Sequence, residues 1–219
     1  MVFKGQSSDY LNVTAGVPQG AILGPLLFLI YVNDFGDKLE NESYLFADDS
    51  TLLKLYRPCD ENLAVESINK DLSISSKWGD TWKLAFNANK SIAINFSLNN
   101  KKTNSMPIVL NNSLIQYVSK HKHLGVILSD DLKWSNHIDH VISSTNKKLG
   151  LLKRRSFALN RNQKSFVFLN IIRPAIEYGS VLYNNCSVYD SIRLEQLRRR
   201  AALICTGALR QTNTKRLLD

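Results

Sequence analysis

Hydrophobic and polar positions follow two different patterns along the chain, and the pattern changes near residue 130. Before that point, short apolar runs alternate with polar turn residues, which is typical of β-strands joined in hairpins. Apolar residues at helical spacing interrupt these runs at Leu26–Leu39, where we predict a mostly buried helix, and at Asn62–Trp82. The predicted strand segments are residues 43–47, 51–56, 92–96 and 123–128. We predict hairpins over residues 2–14 and over residues 108–118, the second turning at Asn111 and Asn112.

Beyond residue 130 the apolar positions recur only at helical spacing. We predict three helices there, over residues 136–159, 163–178 and 190–205. The sequence therefore predicts an α+β fold, in which residues 1–131 mix strands with helices and residues 132–219 form a helical region.

Basic residues concentrate in the helical part of the chain. Residues 1–118 carry 10 basic and 12 acidic side chains, a net charge of −2, whereas residues 119–219 carry 18 and 7, a net charge of +11. This asymmetry indicates a polyanionic partner for the C-terminal part, either nucleic acid or an anionic membrane surface. The alternative that charge alone leaves open is a solvated face that keeps the chain soluble.

The composition excludes several other classes of protein. With 44% hydrophobic and 21% charged residues, the chain is typical of a folded globular protein, not of a disordered or collagen-like one. The longest apolar stretch, Ala21–Val32, is shorter than the roughly 20 residues that a membrane helix needs, so we expect no membrane span. Three widely spaced cysteines and a polar N-terminus favour an intracellular protein, in the nucleus or the cytoplasm.

The strongest candidate for chemistry is the pair of adjacent carboxylates at Asp48 and Asp49, in a predicted turn between two β-prone runs. Carboxylates packed together raise each other's pKa or recruit a cation, and their oxygens suit Mg²⁺. Two such ions can stabilise the attacking and leaving oxygens of a phosphoryl transfer. An isolated pair is more often an ordinary polar turn. The chain contains a natural control in Asp130 and Asp131, which we predict to form a turn at the start of a helix.

Two further segments carry candidate binding residues. The first is a loop that contains Gly16, Pro18, Gln19 and Gly20. Its glycines allow the backbone to approach a ligand closely, and the Gln19 amide can recognise a base or a sugar. The alternative for this loop is an ordinary connection. Lys90 follows a polar turn and is either a solvated side chain or a contact to a triphosphate.

Four histidines could suggest a metal site, but they do not predict one. They lie at positions 121, 123, 137 and 140. No cysteine or carboxylate completes a recognised ligand spacing with them, so we do not expect zinc.

Four blocks occur in a characteristic order: AGVPQGAILGPLLFLIYVND at 15–34, FADD at 46–49, WKLAFNANKS at 82–91 and HLGV at 123–126. The C-terminal part adds LKWSNHI at 132–138, RPAIEYG at 173–179 and LEQLRRRA at 194–201. Together they resemble the reverse transcriptases of non-LTR retrotransposons, particularly the jockey-like group. Ordered blocks with suitable gaps are far more specific than any one of them.

The resemblance implies an RNA-directed DNA polymerase that acts on an RNA template, a DNA primer, their RNA–DNA duplex and deoxynucleoside triphosphates. It implies a partial polymerase palm, an antiparallel sheet with packed helices, over residues 1–131 and a thumb-like helical region over 132–219.

The resemblance also implies a role for each candidate residue. Asp48 and Asp49 are catalytic and bind two Mg²⁺ ions, and Lys90 stabilises or protonates the leaving pyrophosphate. The loop at 16–20 shapes the nucleotide and template pocket. The primer grip is a hairpin to which His123, Leu124, Gly125 and Val126 belong.

The resemblance further implies parts that these residues do not supply. The family's palm has another catalytic aspartate on a strand upstream of the glycine loop, and only fourteen residues precede Ala15. We therefore expect a fragment without the fingers or that strand, and no primer extension by residues 1–219 alone. The alternative is a retrotransposon remnant that at most binds nucleic acid through its basic C-terminal half.

Overall fold

The computed structural model of the protein describes residues 2–3, 6–7, 20–98, 106–208 and 212. The chain divides into two compact units. The first unit comprises Met1–Ser91 and Asn104–Ile115, and the second comprises Ile92–Thr103 and Gln116–Asp219. Strands and helices occur in both units, which confirms the predicted α+β class.

Short strands and seven helices make up the described parts of the chain. In chain order the strands are β1 (Val2–Phe3), β2 (Gln6–Ser7), β3 (Glu42–Phe46), β4 (Asp49–Leu53), β5 (Ile92–Ala93), β6 (Val109–Leu110), β7 (Ser113–Leu114), β8 (Gln116–Tyr117), β9 (Lys120–His123) and β10 (Val126–Ser129). The helices are α1 (Gly24–Tyr31), α2 (Glu61–Trp82), α3 (Ser135–Arg155), α4 (Arg161–Val167), α5 (Arg173–Glu177), α6 (Ser180–Tyr183) and α7 (Val188–Thr206).

The strands pair in twos. Four pairs are antiparallel hairpins, β1–β2, β3–β4, β6–β7 and β9–β10, and β5 pairs in parallel with β8. The hairpin predicted within 108–118 is confirmed as β6–β7, because Asn111 and Asn112 both adopt the left-handed backbone of a tight turn. Only the first two residues of the strand predicted over 92–96 form a strand. Residues 8–14 of the first predicted hairpin lie outside the described residues.

Helix α2 is the longest element of the first unit and begins within one residue of its predicted start. It ends because Lys83 turns to the left-handed region at φ +58° and Leu84 N–H donates to the Gly79 carbonyl at 2.8 Å. A Cβ on Gly79 would lie 2.4 Å from the Leu84 carbonyl oxygen, so only glycine fits there. The buried face contains Ala64, Val65, Asp71, Ser75 and Gly79.

Helix α1 differs from its prediction in length and in burial. It ends at Tyr31 instead of Leu39, and only Gly24 within it is buried. The prediction of a mostly buried helix is wrong, because the apolar side chains of Leu26, Leu27, Leu29 and Ile30 are each half or more exposed. The residues that follow α1 pack instead, with Phe35 edge-on to Trp78 at 5.2 Å between ring centroids.

The helices of the second unit enclose two adjoining apolar clusters. One contains Leu149, Leu152, Ile172, Ile176, Leu197, Ala201 and Cys205. The other contains Ile138, Val141, Tyr183 and Leu194. These residues come from α3, α5, α6, α7 and the turn before α5, so the core of this unit is built between helices.

The helix predicted over 163–178 is two helices joined by a π-helical turn, Phe168–Ile172. Pro174 explains the interruption, because it lacks the N–H that would continue the helical hydrogen bonds. Helix α4 begins earlier than predicted because Asn160 and Gln163 form a reciprocal capping box. Within the described ranges, no helix has both the length and the apolar character needed to cross a membrane.

Candidate active site

The hairpin β3–β4 carries the two adjacent carboxylates in the first unit. Phe46 pairs with Asp49, so a connection of two residues, Ala47 and Asp48, joins the strands. Ala47 adopts φ +52°, in the left-handed region that a two-residue hairpin loop requires. This conformation is energetically unfavourable for alanine because its Cβ is crowded there. Strand β3 therefore ends one residue earlier than predicted and β4 begins two residues earlier, so Asp48 lies in the connection and Asp49 is the first residue of β4.

The carboxylates of Asp48 and Asp49 are exposed at the tip of this hairpin. Among the residues that the structure describes, neither makes a hydrogen bond or an ion pair. Like charges on neighbouring residues repel, and either solvent or a bound cation can offset this repulsion. Their exposed oxygen atoms fit the preference of Mg²⁺ for carboxylate ligands beside water and phosphate.

The second aspartate pair has different surroundings, in the other unit. Asp131 accepts a hydrogen bond from Lys133 N–H at 3.0 Å and lies 3.8 Å from the Lys133 ammonium. The Asp130 backbone bonds to Ser119 and Ser97. Asp130 and Asp131 thus form a turn shortly before α3, as predicted, with one carboxylate already bound locally.

A buried aspartate that the sequence did not predict as functional holds the base of the hairpin. Asp71 on α2 is fully buried and accepts hydrogen bonds from the backbone N–H groups of Glu40 and Asn41 at 3.0 and 2.9 Å. It also accepts one from the Asn41 side-chain amide at 2.6 Å. The available signal was a charged residue within the apolar stripe of an amphipathic helix, between Ile68 and Ser75.

Lys90 lies at the end of a turn that Asn87 organises. The Asn87 side chain accepts hydrogen bonds from the N–H groups of Asn89 and Lys90 at 3.1 and 3.3 Å. The Lys90 side chain is exposed, and within the described residues no ion pair joins it to Asp48 or Asp49. The preceding Phe86 packs against Phe35 at 5.6 Å, so this block combines a packing residue with a solvent-facing lysine.

The glycine-rich loop is described only at its last residue. Gly20 is exposed, adopts φ +86° and has open space where a Cβ would stand, consistent with a loop that needs glycine for its backbone angle. Gly16, Pro18 and Gln19 lie outside the described residues.

The HLGV block forms a hairpin turn in the second unit, so the single strand predicted over 123–128 is wrong. His123 ends β9, Val126 begins β10, and the chain reverses through Leu124 and Gly125 at φ +45° and +82°. Two consecutive left-handed residues are the backbone of a tight hairpin turn. The four predicted primer-grip residues are thus brought together at one end of this hairpin.

Tyr178 fixes this turn, and the sequence analysis did not single it out. Its hydroxyl donates to the Leu124 carbonyl at 2.8 Å, and a Cβ on Gly125 would lie 2.8 Å from its ring. The neighbouring Gly179 also lies close to Val126: a Cβ added at Gly179 would stand 3.2 Å from the Val126 Cγ2 methyl group. The RPAIEYG block therefore contacts the HLGV block directly.

His137 is a buried packing residue of the second unit. Its ring packs at a tilt against Tyr183, 5.1 Å between centroids, and its Nδ1 accepts a hydrogen bond from Ile127 N–H at 3.2 Å. Burial, assisted by the charges of His140 and Lys122, lowers the pKa of His137. No group of three or more His, Cys, Asp or Glu side chains arranged to hold a metal occurs in the part of the chain that the structure describes.

The basic residues of the second unit differ in their partners. On α7, Arg193 bonds to Asp139 and Asp190 at 2.5 and 3.1 Å, and Arg198 lies 3.9 Å from Glu195. On α3, no acidic side chain among the described residues pairs with the exposed basic residues, which are Lys147, Lys153, Arg154 and Arg155. Helix α3 therefore offers the less compensated positive charge.

The sequence is similar to those of known polymerases of mobile elements. It is 29% identical over 214 residues to the probable RNA-directed DNA polymerase from transposon X-element of Drosophila melanogaster, covering 94% of this chain and 23% of the relative. It is 27% identical over 192 residues to the RNA-directed DNA polymerase from mobile element jockey of the same species, covering 82% and 20%. The chain thus spans about a fifth of the length of these curated relatives.

A third relative extends the similarity to another element. The Pol polyprotein from type-1 retrotransposable element R1 of Bradysia coprophila is 24% identical over 216 residues, covering 94% of this chain and 21% of the relative. No solved structure matches the chain. The family model for reverse transcriptase (RNA-dependent DNA polymerase) matches residues 1–128, more than half of the sequence. The predicted resemblance is therefore confirmed, and the chain belongs to the reverse transcriptase family.

Proposed function

We propose that this chain forms part of the RNA-directed DNA polymerase of a non-LTR retrotransposon, with Asp48 and Asp49 as its metal-binding carboxylates. The observation that carries the proposal is the exposed carboxylate pair beside a two-residue turn, which makes no hydrogen bond or ion pair with any described residue, whereas Asp131 is bound by Lys133. Membership of the reverse transcriptase family supports the same assignment, because members of this family generally use divalent metal ions.

In this proposal the primer 3′-hydroxyl attacks the α-phosphate of a deoxynucleoside triphosphate, and pyrophosphate leaves. Two Mg²⁺ ions supply charge compensation at the attacking and leaving oxygens. Asp48 and Asp49 hold these ions with their carboxylate oxygens. Lys90, presented by the Asn87 turn, donates a proton or a hydrogen bond to the leaving pyrophosphate.

The remaining candidates bind the nucleic acid and the nucleotide. Gly20 shapes the nucleotide and template pocket together with Gly16, Pro18 and Gln19. These three residues lie outside the described part of the loop. The turn from His123 to Val126 holds the primer end, and Tyr178 keeps that turn in place.

We further assign the palm to residues 1–131 and the thumb to residues 132–219. The substrates in this proposal are an RNA template, a DNA primer and their RNA–DNA duplex, and the protein acts inside the cell, in the nucleus or the cytoplasm. The exposed basic residues of α3, which no described acidic side chain pairs with, support duplex binding.

A second candidate is a remnant that binds nucleic acid but has no catalytic role. The same basic residues on α3 favour it, because duplex binding needs only their charge and not the aspartates. The two candidates differ in whether the tip of β3–β4 binds divalent metal.

Metal binding at the hairpin tip tests the proposal. We expect Mn²⁺, measured by paramagnetic relaxation of water protons and of backbone amides, to bind near residues 46–50. Asp48→Asn and Asp49→Asn should each lower the affinity about tenfold, the order expected when a ligand of the cation loses its charge.

The matched control uses the other aspartate pair. Asp130→Asn and Asp131→Asn remove the same charge in the same sequence context of two aspartates, and we expect the Mn²⁺ affinity to stay within about twofold of wild type. An equal loss from both pairs would reduce the effect to general electrostatics. No loss at Asp48, with duplex binding intact, would favour the remnant.

A further inference from the structure

Among the described acidic side chains of the first unit, Asp71 alone is fully buried. Burying a charge is costly unless hydrogen bonds satisfy it. Three donors do so, and all three belong to two consecutive residues, Glu40 and Asn41. All the hydrogen bonds just named that satisfy the Asp71 carboxylate therefore come from one short segment of the chain.

That segment is the start of the aspartate-bearing hairpin. Asn41 immediately precedes β3, and its side chain also exchanges hydrogen bonds with the Ser67 hydroxyl at 2.9 and 3.2 Å. Ser67 and Asp71 are four residues apart on α2 and therefore lie on one face of the helix. Lys54, which follows the end of β4, reaches the same Ser67 hydroxyl at 3.5 Å. Both strands thus connect to one polar site on α2.

The rest of the hairpin has little packing to fix its direction. Tyr44, Leu45 and Phe46 are 57%, 42% and 63% exposed. The tip lies about 20 Å from Asn41 at the usual strand rise. A tilt of about 5° at the base would then move the carboxylates by about 2 Å, and displacements of that order lower catalytic rates substantially.

We propose that Asp71 is a positioning residue of the polymerase site: with Asn41 and Ser67 it fixes the base of β3–β4 on α2 and so sets where Asp48 and Asp49 stand. This inference rests on the proposed function for its catalytic meaning. The positional part of it can be tested independently, because it concerns the hairpin whether or not the tip binds metal.

The test compares Asp71→Asn with wild type by amide hydrogen exchange in the full chain. We expect exchange of the β3–β4 amides to accelerate about tenfold or more, the order for loss of a hydrogen bond to a charged group, while the amides of α2 keep their rates. With Mn²⁺ at the tip, the relaxation that it causes should also spread over more α2 amides and become more uniform along the helix, because the tip samples more positions.

Two further variants separate positioning from a general loss of stability. Asp80→Asn removes the same charge from an exposed position on the same helix and should change neither measurement. The double variant Asn41→Asp/Asp71→Asn swaps the two side chains and so restores a donor and an acceptor between them. We expect it to recover most of the slow amide hydrogen exchange of the hairpin. If Asp71→Asn fails to fold, Ser67→Ala removes only the neighbouring contacts and should accelerate hairpin exchange about threefold.

Exchange that rises equally in α2 and the hairpin, or that the reciprocal variant does not recover, would overturn the positioning role. Absence of Mn²⁺ at the tip of wild type would overturn the proposed function instead, and the exchange data would still decide the role of Asp71.

Discussion

Gly125 shows how one residue couples two distant sequence blocks. Its positive φ and the close approach of the Tyr178 ring both require the absence of a side chain. A Cβ there would have to displace the ring that donates to the Leu124 carbonyl. The turn and the tyrosine therefore depend on each other, although 53 positions separate them in the sequence.

We predict that Gly125→Ala lowers the free energy of unfolding by about 2 kcal/mol or more, since it adds left-handed strain to a steric clash. Urea unfolding followed by circular dichroism measures this loss. Gly150→Ala is the matched control, because a Cβ at that position on α3 meets nothing within 4 Å. The control should stabilise the protein by about 0.5–1 kcal/mol. Equal effects at the two glycines would contradict the proposed contact.

At the scale of residues, sequence reasoning succeeded where chemistry follows from residue type. The aspartates at 48 and 49 are found on a hairpin tip as predicted, and Asn111 and Asn112 form the predicted turn. Asp71 escaped prediction because an aspartate on a helix is usually solvated, and only the three-dimensional packing shows that it is buried. The left-handed Ala47 escaped because alanine carries no turn signal.

Among the elements, hairpin β9–β10 depends on helix α3 through His137. The neutral Nδ1 accepts from the Ile127 N–H, and protonation would place a donor against a donor. Because the pKa of His137 is lowered in the folded protein, the unfolded state binds the proton more tightly. The contribution of neutral His137 to the free energy of unfolding is therefore fully present above the ordinary histidine pKa of about 6.5. It decreases as the pH falls from there through the lowered value.

We predict that urea midpoints fall between about pH 7.5 and pH 5 in wild type, and that His137→Asn, which keeps an acceptor at the same place, largely removes this dependence. His121→Gln, on the partly exposed strand β9, should keep it. A wild-type slope that survives in His137→Asn would assign the pH dependence to other groups.

Helices and strands were predicted correctly where one strong hydrophobic periodicity covers the segment, as in α2. The predictions failed where tertiary contacts determine the backbone conformation. The HLGV segment has an apolar pattern that fits one strand, but Tyr178 and Gly125 favour a reversal. The helix predicted over 163–178 has continuous helical spacing, yet Pro174 and the π-helical turn divide it. Periodicity records which residues are apolar, not where the backbone must bend.

For the whole molecule, charge distribution is the property that carries over best from sequence to structure. The net charge of +11 on residues 119–219 is partly compensated on α7 and little compensated on α3. A polyanion that releases counterions on binding gains most from the uncompensated charges. The two helices should therefore contribute unequally to the proposed duplex binding.

We predict that the affinity of the chain for an RNA–DNA duplex falls steeply with salt, and that Lys147→Gln and Arg154→Gln each reduce the slope of log K against log salt by about one. Arg198→Gln, which removes a residue near Glu195, should change the slope much less. Fluorescence anisotropy over a salt series gives these slopes. Equal changes from α3 and α7 would show that local ion pairs do not decide the binding surface.

At this scale the sequence identified the family but not the internal organisation. Ordered blocks sufficed for the family because each is short and local. The two compact units join segments that are distant along the chain, such as Asn104–Ile115 with Met1–Ser91. Such associations depend on long-range packing, which no local pattern contains. The assignment of palm and thumb to residues 1–131 and 132–219 stays a prediction.

The two-residue connection at Ala47 and Asp48 restricts how this hairpin can evolve. Inserting or deleting one residue there would either change the type of turn or slip β4 against β3 by one residue, and such a slip moves every side chain of the strand to the opposite face. A change in the number of residues between the strands is therefore a second route, besides loss of an aspartate, by which the two carboxylates would leave the place where this hairpin holds them.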